Sequence, residues 1–452
     1  MDTRMLLKFY DTIIKKRRIY EYRQFLEDSQ HWPKEKLLEF QWQELKKLLR
    51  HSYEQAPYWQ KIFKNLGITN EGIKNYVDFQ KLPIITKEDI RVNKQEMIAR
   101  NYLGRTWTKA TGGSTGIPLE LDYTPDSYDW RMAVSKRGYS WAGCEDGVKQ
   151  AYIWGTAIGK TSFLKRIKEN THHKILRQRY FNSFQFDEKR MKEALKEINL
   201  YKPEIIIGYT NPLYNFAKFI RQNGIVKFKP KAIISAAEKL HEFQRQEISE
   251  VFNCEVFNTY GSREFMLIAS ECEKHKGLHV NAENLFVEII KADGTPAKAG
   301  EIGDIVITDL HNYGMPFIRY SIGDMAVAYD RACSCGRGLP MIEDVIGRSL
   351  DMIKTPDGRF VPGEFFPHLM KEFKEIKQFQ VIQKSLDNLI IKIVKNGLFN
   401  NGRLKFLQDE ARNVLGQNIN IDIQFVDEIP LTATGKFRVT ISEISQVDTD
   451  EK

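Results

Sequence analysis

The chain has 452 residues, of which 42% are hydrophobic and 28% are charged, and its formal net charge is +9 at pH 7. This length and apolar content exclude a disordered chain and predict two or three globular domains. The positive charge favours anionic partners, such as nucleic acid, a membrane surface or phosphorylated small molecules, without choosing between them.

Targeting signals are not evident in the sequence. It contains no apolar run of about 18 residues or more, as a transmembrane helix requires. Its first residues, Met-Asp-Thr-Arg, lack the apolar region of a signal peptide. The five cysteines are unevenly spread, which is not typical of a small secreted fold held by disulfides. We therefore expect a cytoplasmic protein without a transmembrane segment.

The first hundred residues are predicted to be mainly helical. Apolar residues recur at helical spacing from position 37 to position 49, and Pro57 ends that pattern. Thr86 and Asp89 have the spacing of a capping box, so a further short helix is expected to begin there. The apolar face of the long helix consists of Leu37, Leu38, Trp42, Leu45, Leu48 and Leu49.

A stretch rich in glycine and hydroxyl residues follows at positions 108–118, between two predicted strands. Such a loop suits phosphate oxygens, because glycines let backbone N–H groups converge on an anion while Ser and Thr add hydroxyl donors. It is neither a Walker A loop nor a Gly-x-Gly-x-x-Gly loop, and a flexible surface turn explains it equally well. The candidate residues are Thr111, Gly112, Gly113, Ser114, Thr115 and Gly116.

Strands and helices alternate between positions 126 and 250. Strands are predicted at 150–155, 204–210 and 231–235, and helices at 211–222 and 240–251. This alternation predicts a largely parallel sheet that is covered on both faces. Ligands of such sheets lie at the carboxyl ends of the strands, where Gly208, Ala236 and Tyr260 fall.

The pattern changes after position 253 to that of antiparallel β structure. From residue 348 onward, a β-β-α-β order predicts a small independent domain. We therefore predict an α/β protein. Its large domain, residues 1–347, has mainly parallel sheets and a β-rich subdomain, and its small domain, residues 348–452, is α+β.

Six polar motifs occur in one fixed order, and they begin at Thr111, Ser235, Tyr260, Arg319, Gly347 and Leu431. Their joint order is more specific than any of them alone. Together they resemble the motifs of the adenylate-forming, AMP-producing acid ligases. Within that superfamily the chain is similar to the phenylacetate-coenzyme A ligase branch, especially its relatives associated with capsular polysaccharide synthesis. The resemblance covers roughly residues 80 to 440.

The resemblance implies an ATP site. Loop 111–116 is expected to hold the β and γ phosphates. Tyr260 is expected to lie flat against the adenine, and Glu264 to bind Mg²⁺. An ordinary core tyrosine is the alternative for Tyr260. The other residues expected to bind the nucleotide are Ala236, Ala237 and Glu238 beside the adenine, and Gly261, Ser262 and Arg263.

Three further residues are implied nearer the small domain. Asp324 is expected to accept hydrogen bonds from both ribose hydroxyls, although it also fits a turn-capping aspartate. Arg348 is expected to add a cation near the ribose or a phosphate. Lys436 is expected to contact the acid and the α-phosphate. Without the resemblance, we would interpret this lysine as an exposed surface residue. The resemblance also implies that the small domain is mobile.

Two departures from the family pattern leave roles open. Arg263 stands where relatives usually have threonine before the glutamate; it could still bind phosphate, and its role is open. Leu350 stands where a polar hinge residue is common, and Asp351 follows it. The pivot of any domain rotation is therefore open.

A separate signal comes from the cysteines. Cys272, Cys333 and Cys335 together with one histidine match the ligand set of a closed, structural zinc site. His279 matches the Gly-Leu-His element of relatives and is slightly favoured, whereas His275 has the tighter Cys-x-x-His spacing. Free cysteines in turns are the alternative. We expect no catalytic role, because four protein ligands leave no open position.

We predict an enzyme that uses ATP and Mg²⁺ to convert a carboxylic acid to an acyl-adenylate, and then transfers the acyl group to coenzyme A. An amine acceptor in cell-surface polysaccharide synthesis is the enzymatic alternative. A basic nucleic-acid or surface-binding protein is the non-enzymatic one, but the aromatic interleaving of stacking platforms is lacking, so we expect no nucleic acid. Trp154, Tyr209 and Asn211 are candidates for the acid pocket. Whether the chain forms a homodimer is open.

Overall fold

The computed structural model divides the chain into two compact units. The larger contains the described residues up to Val345 apart from 323–325, and the smaller contains 323–325 and the described residues from Ile346 onward. The predicted boundary between residues 347 and 348 stays a prediction. The structure describes residues 3–69, 72–110, 119–155, 171–183, 186, 188–348, 352–356, 360–362, 365–370, 373, 375–395, 401–430 and 438–444.

The N-terminal part of the larger unit is helical, as predicted. The expected capping box is present, because Asp89 N donates to Thr86 Oγ1 and Thr86 N donates to Asp89 Oδ2. No helix in the described part of the chain is long and apolar enough to cross a bilayer. The elements are α1 (Thr3–Phe9), a π-helical turn (Tyr10–Ile14), α2 (Ile19–Ser29), α3 (Lys34–Gln55), α4 (Pro57–Asn65), α5 (Tyr76–Phe79), α6 (Lys87–Met97) and a 3-10 turn (Arg100–Tyr102).

Helix α3 shows how far periodicity predicts burial. Leu37, Leu45, Leu48 and Leu49 are buried as expected. Leu38 is 45% exposed, so its assignment to the apolar face is wrong. It follows Leu37 directly, and successive helical residues point about 100° apart. This angle alone does not explain the exposure of Leu38, because Leu48 and Leu49 are also neighbours in α3 and both are buried.

A short hairpin precedes the central sheet. Strands β1 (Trp107–Ala110) and β2 (Glu120–Tyr123) pair antiparallel, with Ala110 opposite Glu120. The glycine-rich residues 111–118 connect these strands and lie outside the described residues. Helix α7 (Pro125–Ser140) follows, with Pro125 in its first turn and Thr124 Oγ1 accepting from Ser127 N at 3.1 Å.

Within the described residues, the central sheet has eleven strands, so the predicted parallel sheet and β-rich subdomain are two halves of one sheet. The parallel half has the spatial order β4-β3-β5-β6-β7, and the other half follows as β8-β9-β13-β12-β11-β10. The α/β fold class is confirmed. The strands are β3 (Gln150–Trp154), β4 (Gln178–Asn182), β5 (Ile205–Tyr209), β6 (Ala232–Ala236), β7 (Glu255–Ser262), β8 (Met266–Glu271), β9 (Leu278–Val280), β10 (Leu285–Ile290), β11 (Ile302–Asp309), β12 (Tyr320–Tyr329) and β13 (Met341–Arg348).

The parallel half is covered on both faces, as predicted. Helices α8 (Glu188–Tyr201), α9 (Thr210–Asn223) and α10 (Glu242–Phe252) pack on one face, against a cluster that includes Ile206 and Ile233. Ile205 and Ile207 point to the opposite face and join a second apolar cluster. Continuous apolar strands are typical of a sheet that is buried on both sides.

The smaller unit contains the predicted β-β-α-β order. Strands β16 and β17 pair antiparallel. Strands β17 and β18 pair parallel, and helix α12 connects them in the chain. Leu407, Ala411 and Leu415 of this helix are fully buried. The four-stranded sheet has the order β18-β17-β16-β19. Mobility of this unit stays a prediction. Its elements are β14 (Met352–Lys354), β15 (Phe360–Pro362), α11 (Phe365–Met370), β16 (Ile376–Ser385), β17 (Asn388–Lys395), α12 (Asn401–Leu415), β18 (Asn420–Phe425) and β19 (Thr440–Ser442).

A fully buried ion pair joins the helices to the β-rich half of the sheet. The side chains of Arg137, in α7, and Glu283, between β9 and β10, are both 0% exposed. Two bonds of 2.6 and 3.0 Å join them, Asn281 Oδ1 accepts a further bond from Arg137, and Ser29 Oγ donates to Glu283. Because these partners replace water, removing one of them leaves the other charge unpaired in the interior.

We therefore expect Glu283→Gln to lower the free energy of unfolding by about 3 to 5 kcal/mol, since it leaves the Arg137 charge without its counter-ion. The matched control is Glu96→Gln, which removes the exposed ion pair with Lys61 at 2.7 Å and should cost about 1 kcal/mol or less. Urea unfolding of both variants measures the difference. Equal losses in the two variants would contradict the role given to the buried pair.

Candidate functional site

The carboxyl edge of the parallel strands carries several of the predicted residues. Ile153 pairs with Gly208, and Tyr209 pairs with Ala236, so the ends of β3, β5 and β6 lie side by side. Strand β3 lies between β4 and β5. The chain passes from β3 to β4 on one side and then crosses back to β5 on the other side, so the direction of strand addition reverses at β3. Ligands bind at this kind of position in open α/β sheets.

Two aromatic rings meet at this edge. The ring centroids of Trp154 and Tyr209 are 4.5 Å apart, with an interplanar angle of 55°. Glycine at position 208 lets α9 and β3 pack closely against β5, because a Cβ there would lie 2.8 Å from Leu213 Cγ and 3.1 Å from the Ile153 carbonyl oxygen. Both aromatic residues were predicted to line the acid pocket, and the structure brings them together.

The turn after β6 is held by the start of α9. Ala237 has a φ of +67°, a conformation that non-glycine residues rarely adopt. Glu238 accepts two hydrogen bonds there: its carbonyl from Thr210 Oγ1 at 2.9 Å, and its carboxylate from Asn211 N at 2.8 Å. A carboxylate at a helix N-terminus is favourable. The contacts therefore fix the predicted adenine-binding turn at the edge of the sheet.

A second turn joins β7 to β8. Gly261 sits at a register shift between these strands, and a Cβ there would clash with the carbonyl oxygen of Met266. Ser262 Oγ accepts a hydrogen bond from Phe265 N at 3.2 Å. Tyr260 and Glu264 are both largely buried. The Tyr-Gly-Ser-Arg-Glu motif therefore forms a tight turn in which glycine is required.

The β1-β2 hairpin is tied to this second turn. Tyr123 OH, at the end of β2, lies 3.1 Å from the carbonyl oxygens of both Arg263 and Glu264. The buried Arg131 guanidinium lies 4.4 Å from the Tyr123 ring centroid, contacts the Glu264 carbonyl at 3.4 Å and pairs with Asp309. Sequence reasoning missed Tyr123 and Arg131. Tyr123 could have been found, because it ends the strand that follows the glycine-rich stretch.

Tyr209 lies within electrostatic reach of both turns. The pKa of the Tyr209 phenol is raised, mainly because the ring is buried. The charge of Arg263 lowers this pKa, and the charge of Glu238 raises it further. The phenol is therefore neutral near pH 7 and keeps its proton as a hydrogen-bond donor. Tyr209, Glu238 and Arg263 form one electrostatic neighbourhood at the carboxyl edge.

Several predicted residues are not placed at this edge. Residues 111–116, Leu350, Asp351 and Lys436 lie outside the described residues, as does the side chain of Arg348. Asp324 is partly buried in β12, after Gly323, whose φ is +83°, and it belongs to the smaller unit. The nucleotide-binding and catalytic roles of these residues stay predictions.

The cysteine motif forms a separate cluster in the larger unit. The possible ligand atoms of Cys272, His279, Cys333 and Cys335 all lie within 4.8 Å of one another. His275 points elsewhere, because its Nδ1 lies 3.1 Å from Oε2 of the buried Glu271, which also pairs with the partly exposed Arg245. Of the two histidine alternatives, the structure therefore places His279 with the cysteines.

The protonation state of His279 suits metal ligation, whereas Cys272 must first lose its proton. Burial, followed by the charge of Arg337, lowers the pKa of His279 to about 4, so its imidazole is neutral at pH 7. Burial is also the main cause that raises the pKa of Cys272 to about 12. A bound cation reverses that preference, since a coordinating thiol loses its proton.

Comparisons with known proteins agree with the resemblance seen in the motifs. Residues 353–443 match the family model of the CapK C-terminal domain. The chain is 27% identical to the protein CapK of Staphylococcus aureus over 414 residues, which cover 90% of each chain. It is 24% identical to the phenylacetate-coenzyme A ligase of Thermus thermophilus over 399 residues, which cover 84% of this chain and 86% of that one.

A solved structure shows the same fold. A 2-hydroxyisobutyryl-CoA ligase, crystallised in a postadenylation state with an acyl-AMP, matches with a TM-score of 0.67 at 17% identity. The match covers 88% of each chain. The predicted resemblance to adenylate-forming ligases of the phenylacetate-coenzyme A ligase and CapK group is confirmed.

The first turn offers a test of the site geometry. Thr210 Oγ1 lies 2.6 Å from Ser235 Oγ and 2.9 Å from the Glu238 carbonyl oxygen, and Thr210 is fully buried. Thr210→Val keeps the shape and removes both bonds, so it should destabilise the protein by about 1 to 3 kcal/mol. Thr295→Val, at an exposed turn, is the control and should be close to neutral. Thermal unfolding that does not separate the two variants would contradict this account.

Proposed function

We propose that this chain, whose relatives and fold are those of adenylate-forming ligases, activates a carboxylic acid with ATP and passes the acyl group to coenzyme A. In the first half-reaction, a carboxylate oxygen attacks the α-phosphorus, and pyrophosphate leaves. In the second, a thiolate sulfur attacks the acyl carbonyl carbon, and AMP leaves. Two easier steps thereby replace one difficult acyl transfer.

The observation that carries the proposal is the meeting of two predicted nucleotide-binding turns at one sheet edge. Strand β6, which leads into the turn containing Glu238, pairs parallel with β7, which leads into the turn containing Arg263. Thr259 Oγ1 of β7 also donates to the Ser235 carbonyl oxygen of β6 at 2.8 Å. Tyr123 connects the second turn to the strand that follows the glycine-rich stretch. The two turns expected to bind adenine and metal therefore lie on neighbouring strands, and Tyr123 joins the second of them to β2, although these segments are far apart in sequence.

The proposed roles on this edge follow from the chemistry of each group. Ala236, Ala237 and Tyr260 form the adenine site, and loop 111–116 holds the phosphates. Glu264 would hold Mg²⁺, which prefers hard oxygen ligands such as a carboxylate. The backbone carbonyl of Glu264 accepts from Tyr123 and Arg131, so the residue is anchored where its carboxylate would hold the metal. When bound, the ion offsets phosphate charge.

Lys436, Asp324 and Arg348 complete the proposed machinery. Asp324 supplies two carboxylate oxygens to the ribose hydroxyls. Lys436 supplies a point charge to the carboxylate and the α-phosphate during adenylation. Arg348 adds a cation close to the proposed domain boundary, where a rotation of domain 348–452 against domain 1–347 would move it.

The acid pocket is proposed at the aromatic pair. Trp154 and Tyr209 offer apolar faces, which favours an aryl or other apolar acid. Asn211 is less free to bind substrate, because Gln244 Nε2 donates to its Oδ1 at 2.9 Å. An amine acceptor in polysaccharide synthesis remains the alternative to coenzyme A, since the acid-activating step is the same.

Pyrophosphate release tests the proposed activity. Purified protein with ATP and Mg²⁺ is offered a panel of aryl and aliphatic acids, and coenzyme A or amines are then added to the active mixtures. We expect at least one apolar acid to stimulate release and coenzyme A to yield a thioester. An amide product would select the alternative acceptor. Failure of every acid, in protein that also fails to bind ATP, would overturn the proposal.

Lys436→Ala should impair one half-reaction selectively. Loss of a preorganised charge that acts on the α-phosphate should reduce adenylation by about 100-fold or more, equivalent to about 3 kcal/mol. Conversion of a chemically prepared acyl-adenylate to the thioester should be retained. Rapid-quench kinetics of each half-reaction measures the two rates.

Two controls support this comparison. Circular dichroism establishes that the Lys436→Ala protein is folded, and a reaction without coenzyme A gives the background hydrolysis of the adenylate. Lys384→Ala, which removes an exposed pairing with Glu443, is the matched lysine variant in the same domain and should keep both rates. Equal losses in both half-reactions of Lys436→Ala would assign that lysine a general phosphate-binding role instead.

A further inference from the structure

We propose that Cys272, His279, Cys333 and Cys335 bind one zinc ion, and that this ion fastens the N-terminal helices to the central sheet. The site lies in the larger unit and takes no part in the proposed chemistry. Its ligands are three thiolates and one imidazole, a combination that selects zinc in closed tetrahedral sites.

Two of the six ligand–ligand distances are close to the edges of a zinc tetrahedron, and all six are within 4.8 Å. Zn–S bonds of about 2.3 Å and a Zn–N bond of about 2.05 Å give sulfur–sulfur edges of about 3.8 Å and sulfur–nitrogen edges of about 3.6 Å. Cys272 Sγ lies 3.7 Å from Cys333 Sγ, and Cys335 Sγ lies 3.4 Å from His279 Nε2. The sulfur–sulfur distance is far longer than the roughly 2.05 Å of a disulfide, and all five cysteines are free.

Strand register brings these ligands together. In the β8-β9 pair, Ser270 lies opposite His279, which places Cys272 just beyond the end of β8. In the β9-β13 pair, His279 lies opposite Met341, and the loop before β13 carries Cys333 and Cys335. The pairing of these three adjacent strands therefore brings together ligands that lie about sixty residues apart in the sequence.

The turn between Cys272 and His279 is built for close approach. Gly277 has a φ of +108°, and a Cβ there would lie 2.8 Å from the carbonyl oxygen of Ile342. A larger residue would push this turn away from β13 and would separate His279 from the loop cysteines. The backbone therefore holds the ligand positions in place before any ion binds.

The loop that follows the cysteines reaches the turn between α2 and α3. Gly338 N donates to the Gln30 carbonyl oxygen at 2.8 Å, and Arg337 Nε donates to Gln30 Oε1 at 3.2 Å. Trp141 Nε1 donates to the same Oε1 at 3.0 Å, and the Arg337 guanidinium lies 4.6 Å from the Trp141 ring centroid. A Cβ on Gly338 would clash with the Trp32 carbonyl oxygen. This loop is the connection that the ion would hold.

A metal bound by Cys335 would therefore also stabilise the turn between α2 and α3. Cys335 is two residues from Arg337 and three from Gly338, so fixing its sulfur restricts the backbone that binds Gln30. Without an ion, the loop keeps its contacts with Gln30 and Trp141, but no bond through the metal ties it to Cys272 and His279. Binding energy of a structural metal contributes directly to folding, and here it should protect the turn at residues 30–32.

Metal analysis of the full-length protein, expressed with zinc in the medium, tests the site. We expect about one zinc ion per chain in the wild type. Two matched pairs locate it: Cys333→Ser and His279→Ala should lose the zinc, whereas Cys254→Ser and His275→Ala should retain it. Zinc absent from the wild type, or lost from His275→Ala and retained by His279→Ala, would overturn the assignment.

Hydrogen exchange of the wild type tests the fastening role and does not depend on the variants folding. Protein from zinc-depleted medium is compared with the same protein after addition of zinc alone. We expect faster exchange at residues 30–32 and 333–338 in the zinc-free sample, and restored protection with zinc. Exchange at the β5 amides, residues 205–209, should stay unchanged. Identical exchange at residues 30–32 in both samples would overturn the fastening role.

Discussion

Strand β7 changes its partner along its length, and the candidate site depends on that change. Its first four residues, Glu255 to Asn258, pair parallel with β6, and from Thr259 onward it pairs antiparallel with β8. Thr259 Oγ1 also donates to the Ser235 carbonyl oxygen at 2.8 Å. One strand therefore holds the turn after β6 and the turn before β8 in a fixed relation. Two separate sheets would not impose that relation.

Buried guanidinium groups extend this continuity to the surrounding helices and loops. Each guanidinium pairs with a buried carboxylate from a segment that is distant in sequence. Each ion pair therefore specifies one arrangement of the two segments, even where it adds little net stability. The Arg131 group is closest to the site, because it also supports Tyr123 and the Glu264 carbonyl. The three pairs are Arg131–Asp309, Arg137–Glu283 and Arg319–Glu288.

Local patterns predicted the elements well, because helices and buried strands are set largely by short-range periodicity. The strand at Leu285–Ile290 and the capping box at Thr86 are examples. The partner change of β7 was not predictable, since it depends on pairing with residues elsewhere in the chain. The same limit applied to His275 and His279, between which spacing could not decide and strand register could.

The site was predictable mainly where a motif had a recognisable family order. Arg131 had no such signal, because it lies in a helix whose buried face mixes polar and apolar side chains. Tyr123 was visible in the sequence, but its bond to the Arg263 carbonyl is a tertiary contact. Residues that bind ligands directly were therefore easier to predict than residues that position them.

Transfer of oxygen from the acid to AMP tests the central claim most directly. An active acid, labelled with ¹⁸O at both carboxyl oxygens, is incubated with ATP, Mg²⁺ and coenzyme A, and the AMP is analysed by mass spectrometry. Attack of the carboxylate on the α-phosphorus predicts one ¹⁸O atom in each AMP formed. Unlabelled AMP, or label in a phosphate released from the γ position, would contradict an acyl-adenylate route.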